Sequence, residues 1–121
     1  MQIETSTAVV SINEGIIVAK YAEDSSISAK EVSEIFEAEA KLAKKKHCIL
    51  IDLRGFVKLS ESAMKVSASD EPIKYRKAAA FLVDSLSVRI QMQYYLTFAK
   101  PKVPTQVFSD EQKALEWLRK Q

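Results

Sequence analysis

The sequence predicts an α/β fold, a mixed sheet of about five strands that opens on an N-terminal β-hairpin and is covered by four helices. Three observations carry this reading. Two apolar runs near the start flank a glycine turn, two short and wholly apolar runs follow further on, and stretches of helical periodicity alternate with them. The chain has 121 residues, 47% apolar and 28% charged, a globular composition long enough to bury a core without a disulfide or a metal. No repeat, low-complexity tract or long linker interrupts it, so one domain over residues 1–121 is expected.

The elements follow in order. Ala8 to Ile12 and Ile16 to Tyr21 form the hairpin, turning at Asn13-Glu14-Gly15. Ser28 and Glu31 read as a capping box opening a helix from about Ala29 to Lys45, with Val32, Ile35, Phe36, Leu42 and Ala43 at helical spacing. Cys48-Ile49-Leu50-Ile51 is unbroken apolar sequence, as suits a parallel strand buried on both faces, and it ends at Asp52-Leu53-Arg54-Gly55. A second helix opens at Ser60-Glu61-Ser62-Ala63-Met64 and fades near Ser69-Asp70, because Pro72 disfavours helical geometry in the residue before it. A second buried strand spans Ala78 to Val83 and stops at Asp84-Ser85.

From Leu86 to Tyr94 apolar and polar residues alternate, which by period alone suits a strand. As a helix, the segment carries two apolar stripes about half a turn apart: Val88, Met92, Tyr95 and Leu96 on one, and Leu86, Ile90, Tyr94 and Phe98 on the other. The alternation of strands and helices upstream, and the helix preference of Gln, Met and Leu, favour a helix. Pro101 to Pro104 form a stiff loop before a short strand, Thr105 to Phe108. A last helix is capped by Ser109, with Gln112 at its third position and Ala114, Leu115, Trp117 and Leu118 on its inner face.

This order, and the stretch Asp52-Leu53-Arg54-Gly55-Phe56-Val57-Lys58-Leu59-Ser60-Glu61-Ser62-Ala63-Met64, resembles the SpoIIAA-like fold shared by anti-sigma-factor antagonist (STAS) domains and CRAL-TRIO lipid-binding domains. Antagonists of that family carry Asp-Leu-Ser-Gly at the end of a strand. A few residues on, Asp-Ser-Ser-Gly-Leu opens a helix, and a partner kinase phosphorylates its second serine. Laid on that pattern, Ser62 takes the phosphorylated position, with Ser60 for the aspartate, Glu61 for a serine and Ala63 for the glycine. The C-terminal half, with Leu82-Val83-Asp84-Ser85, Lys100 to Thr105 and Ala114-Leu115-Glu116-Trp117-Leu118, looks like a group of bacterial STAS-like proteins of unsettled role. The resemblance implies a fold rather than a reaction.

Ligands of open α/β sheets sit beyond the carboxyl ends of the parallel strands, an edge that here gathers Asp52, Arg54, Gly55, Asp84 and Ser85. A phosphate on Ser60 or Ser62 would gain from free amides and the dipole at a helix start; otherwise Ser60 is an N-cap and Ser62 a first-turn residue. Asp52 and Asp84 offer too few oxygens for a cation site and read as loop and capping residues. His47 has no Cys-His spacing for zinc and reads as a histidine at the surface or at the start of a strand. Cys48, the single cysteine, reads as a reduced core thiol. Lys44-Lys45-Lys46 suits the C-terminus of a helix, and Gly15 and Gly55, the only glycines, belong to no phosphate loop. No cofactor, metal site or catalytic residue is therefore expected.

With 18 basic and 16 acidic residues, the charge of +2 provides no field to recruit nucleic acid. The N-terminus lacks a signal-peptide pattern, and no segment approaches the roughly 20 apolar residues of a membrane span. A cytoplasmic location is expected. The function expected is a non-catalytic regulatory or protein-interaction domain, homodimeric through Tyr94 and Phe98 or else Tyr95 and Met92, with a regulatory protein or kinase as a further partner. The rival is a carrier of a small apolar, lipid-like ligand in a pocket lined by Phe56, Tyr94, Tyr95 and Phe98. A third class is an enzyme using Asp52, Asp84 or Cys48.

Overall fold

In the computed structural model, which describes residues 1–121, the chain runs β1 (Gln2–Glu4), β2 (Ala8–Asn13), β3 (Ile16–Tyr21), β4 (Ser26–Ile27), α1 (Ala29–Leu42), β5 (His47–Asp52), β6 (Lys58–Leu59), α2 (Glu61–Ser67), β7 (Arg76–Leu82), α3 (Leu86–Tyr94), β8 (Thr105–Phe108) and α4 (Glu111–Arg119). A 3-10 turn at Glu71–Lys74 precedes β7, and a π-helical turn at Tyr95–Ala99 prolongs α3.

The main sheet has six strands in the order β1-β2-β3-β5-β7-β8, one more than the sequence predicts. The addition is β1, antiparallel to β2 with Ile3 opposite Val10. Three residues with one apolar side chain carry no readable period. Asn13 pairs with Ile16, so the hairpin turn is only Glu14 and Gly15, and both take positive φ (51° and 80°). Two such residues match the right-handed twist of the flanking strands. From β3 onward the strands are parallel, with Ile17 opposite Ile49 and Ile49 opposite Ala79.

Both faces of β5 are buried, as its unbroken apolar run requires. Ile49 and Ile51 join Val10, Ile17 and Phe81 beneath α1, α2 and α3. Cys48 and Leu50 face the other way, toward Ala114 and Leu118 of α4. Ala78 and Ala80 of β7 lie under α4 as well, and their small side chains let the helix come close. One helix cannot cover six strands. It lies on β5, β7 and β8, and on the same face of the hairpin Val9, Asn13 and Lys20 stay exposed.

Several boundaries shift from the expected ones for local reasons. α1 ends at Leu42 rather than Lys45, because Ala43 turns to extended geometry. β7 begins at Arg76 rather than Ala78. Asp110, not Ser109, caps α4: its carboxylate accepts from the Lys113 N–H at 3.1 Å. No helix is long and apolar enough to cross a membrane.

Candidate regulatory edge and interaction face

The short strands β4 and β6, absent from the expected elements, position the serines. They pair in parallel, Ser26 with Lys58 and Ile27 with Leu59. Each passes through one residue, Ser28 or Ser60, into a helix, so α1 and α2 start side by side with their amide-rich ends together. Ser60 caps α2 by accepting from the Ala63 N–H at 3.1 Å. Ser62 is exposed in the first turn; its Oγ lies 2.9 Å from Ser60 Oγ and accepts from the Ala29 N–H of α1 at 3.3 Å. At α1, the Glu31 carboxylate accepts from both the N–H and the hydroxyl of Ser28, and these bonds hold its pKa below the usual value. Ser62 thus stands in the first turn of α2 with its hydroxyl on the first amide of α1, where an anion is favoured.

At the strand-end edge, the predicted residues come together but bond chiefly to one another. Asp52 accepts from Arg54 Nε at 3.0 Å and Nη2 at 2.8 Å, and Arg54 Nη2 also reaches Glu111 at 3.1 Å. The Asp52 bonds, with the two carboxylate charges beside it, raise the Arg54 pKa further. Asp84 accepts from the Gly55 N–H at 3.2 Å, tying two loops, and Ser85 caps α3 through the Val88 N–H. Gly55 has φ of +100°, and a Cβ there would lie 2.7 Å from Glu23 Cγ. No three His, Cys, Asp or Glu side chains gather as ligands for a metal ion.

The α3 segment answers which stripe faces the core. Val88, Met92 and Tyr95 are buried against the sheet, with the Tyr95 ring edge-on to Phe81 at 5.7 Å. Burial pushes the Tyr95 hydroxyl up to about 12 despite the nearby Arg76 charge. Leu86, Ile90, Tyr94 and Phe98 turn outward, exposed to 73%, 59%, 54% and 68%. The Tyr94 and Phe98 rings pack on each other at 4.7 Å but leave most of their surface bare. Gln91 fixes the helix to β6: its Oε1 accepts from the Leu59 N–H at 3.1 Å and its Nε2 donates to the Val57 carbonyl at 3.4 Å. Phe56, on the same loop, has positive φ and is 64% exposed.

One cluster escaped the sequence reading. Glu39, fully buried on the inner face of α1, accepts from Arg76 Nη2 at 2.6 Å and faces His47 Nε2 at 2.7 Å. His47 opens β5 as expected but is buried, not at the surface, because Glu39 gives it a partner inside. Burial alone would raise the Glu39 carboxyl; the Arg76 charge and the bonds from His47 and Arg76 outweigh it and hold the carboxyl below the usual range. The Arg76 guanidinium also stands 5.2 Å over the Phe36 ring, a cation–π contact. Glu39 was the readable clue, since it falls on the stripe of Val32, Ile35 and Phe36 where an apolar residue is expected.

A family model described as "Domain of unknown function (DUF7793)" matches residues 10–121. The chain belongs to this DUF7793 family. No curated protein matches the chain. Among solved structures, the chain is similar to an uncharacterized protein of the DUF3478 family with a SpoIIAA-like fold from Shewanella loihica PV-4. Identity is 16%, 98% of each chain is covered, and the TM-score is 0.61. The SpoIIAA-like fold expected from the sequence is therefore the fold of this DUF7793 domain.

Within the DUF7793 domain, Phe56, Tyr94 and Phe98 stand on the outside and Tyr95 is packed in the core. A cavity of about 20 Å³ lies between Tyr21, Ile27, Ile35, Ile51, Leu53 and Phe81, against the ~300 Å³ or more of a pocket for a small organic ligand. An open groove of about 400 Å³ follows the β1–β2 turn from Glu4 to Val9 and borders Lys20 and Tyr21. The Thr7 hydroxyl beside it is buried without a hydrogen-bond partner. Cys48 is buried under α4; its thiol lies 3.5 Å from the Leu118 carbonyl, and burial raises its pKa.

Proposed function

We propose that this domain is a non-catalytic, cytoplasmic regulatory module that docks protein on the outward face of α3 and is controlled by phosphorylation of Ser62. The observation that carries the reading is the run Leu86, Ile90, Tyr94 and Phe98, four large apolar side chains on one exposed helical line. Contiguous exposed apolar surface rimmed by polar residues marks interaction sites on folded proteins, and aromatic side chains are enriched in them. Ser62 supports the regulatory half of the reading. It is exposed, it joins the starts of α1 and α2, and the segment before it, β6, is bonded through Gln91 to α3. A dianionic phosphate there would displace the Ala29 contact and take up amides from two helix starts.

The test is complementation in cells from which the gene has been deleted. A Tyr94→Glu, Phe98→Glu chain with an intact fold by circular dichroism should fail to complement, as should Ser62→Ala. Asp84→Asn and Cys48→Ser should complement fully. The reverse pattern would replace the docking reading with an enzymatic one.

A further inference from the structure

We infer that the outward face of α3 closes on a second copy of the same chain, the two helices running antiparallel across a two-fold axis. The inference rests on the reading of that face as a docking surface and names its occupant. From Leu86 to Phe98 the line is about 18 Å long at 1.5 Å per residue. The residues repeat every fourth position, so the line has a midpoint between Ile90 and Tyr94. A two-fold axis through that midpoint sets Leu86 opposite Phe98 of the second copy and Ile90 opposite Tyr94. The aliphatic half of each helix then meets the aromatic half of the other. A parallel pairing would instead put bulky rings against rings at one end and leave the aliphatic end thin.

Charge points the same way. Over residues 86–99 the only charged side chain is Arg89, which stands in the flanking row with Gln93 and Thr97; the exposed line itself carries no charge, and Ser87, Gln93 and Thr97 beside it are neutral. Nothing on this face calls for a partner of opposite charge, and a neutral patch can meet its own copy without repulsion, as an isologous contact requires.

The area is sufficient. Phe56 stands beside the start of α3, because Gly55 is bonded to Asp84 there. With it, five large side chains more than half exposed offer about 600 Å² per chain, at roughly 150–250 Å² for each fully exposed large side chain. If fully covered, these side chains alone would bury ~1,200 Å² in a symmetric pair, the lower bound for a specific protein interface.

Sedimentation equilibrium over a concentration series reaching the micromolar range should give twice the chain mass for the wild type and the single mass for Ile90→Glu, with unchanged circular dichroism. If Ile90→Glu does not fold, Phe98→Lys, at the far end of the line, provides the same comparison. In a Cys48→Ser background, a mixture of Ile90→Cys and Tyr94→Cys chains should be joined by a short bifunctional thiol reagent faster than either chain alone. Faster self-linking of the single variants would mean parallel helices and overturn the inference. A wild type that stays at the single mass throughout would overturn the second copy as occupant, while the complementation pattern above still decides whether the face docks another protein.

Discussion

Taking the charge from Glu39 would strand Arg76, whose buried guanidinium pairs with no other carboxylate. A buried charge left alone costs roughly 3–5 kcal/mol. Glu39→Gln should therefore lower the stability measured by urea unfolding at neutral pH by that amount, while Lys74→Gln, which removes only an exposed pair with Glu71, should change it by less than about 1 kcal/mol. The same residue sets an acid limit. The folded Glu39 carboxyl titrates below the ordinary 4.5, so its contribution is complete above that pH and falls away as the pH drops through the lower folded value. Wild-type stability should hold above about pH 5 and decline below 4.5, and the Glu39→Gln variant should lose most of that decline. Equal slopes for both chains in acid would show that another carboxylate is responsible.

At the scale of elements, α3 depends on one side chain for its tie to the neighbouring loop. Gln91→Ala would leave the Leu59 N–H and the Val57 carbonyl without their side-chain partner, a loss of about 1–2 kcal/mol. Calorimetry should show a fall in Tm of roughly 3–8 °C, and Gln93→Ala, one turn face away and exposed, should show almost none. The elements legible in the sequence were those with length enough for a period or a punctuating residue: the hairpin with its glycine, α1 with Ser28 and Glu31, the apolar runs of β5 and β7, and β8 after its prolines. β1, β4 and β6 have two or three residues each and show no pattern. Their existence depends on pairing across the chain, as when Ile27 meets Leu59. For α3, both stripes were visible, but the choice between them was fixed by Phe81 and its neighbours, which receive Tyr95. The candidate edge divides in the same way. The Ser28 and Ser60 caps could be read locally, whereas the Arg54–Glu111 contact and the Gly55–Asp84 tie required distant segments to meet. The ion cluster was harder still, because Glu39, His47 and Arg76 come from three elements.

For the molecule as a whole, the unequal cover of the sheet matters most. Three helices lie over one face, and α4 alone lies over the other. Leu118→Ala would remove a fully buried side chain from the thinner layer and should cost about 2–5 kcal/mol. Cys48 lies directly beneath it. In the native protein the thiol should react with a thiol reagent far more slowly than in the unfolded chain, because it is buried and its pKa is raised. In Leu118→Ala the reaction should accelerate well before circular dichroism registers any unfolding. If the two chains label at the same rate, α4 is not what shields the cysteine. The placement of the single thiol has a practical meaning. Lifting α4 exposes a small surface and global unfolding a large one, so the two routes to a labelled cysteine differ in how steeply denaturant speeds them. A shallow slope at low denaturant that steepens near the midpoint would separate the two motions, and the lone cysteine would time the departure of one helix without an added probe.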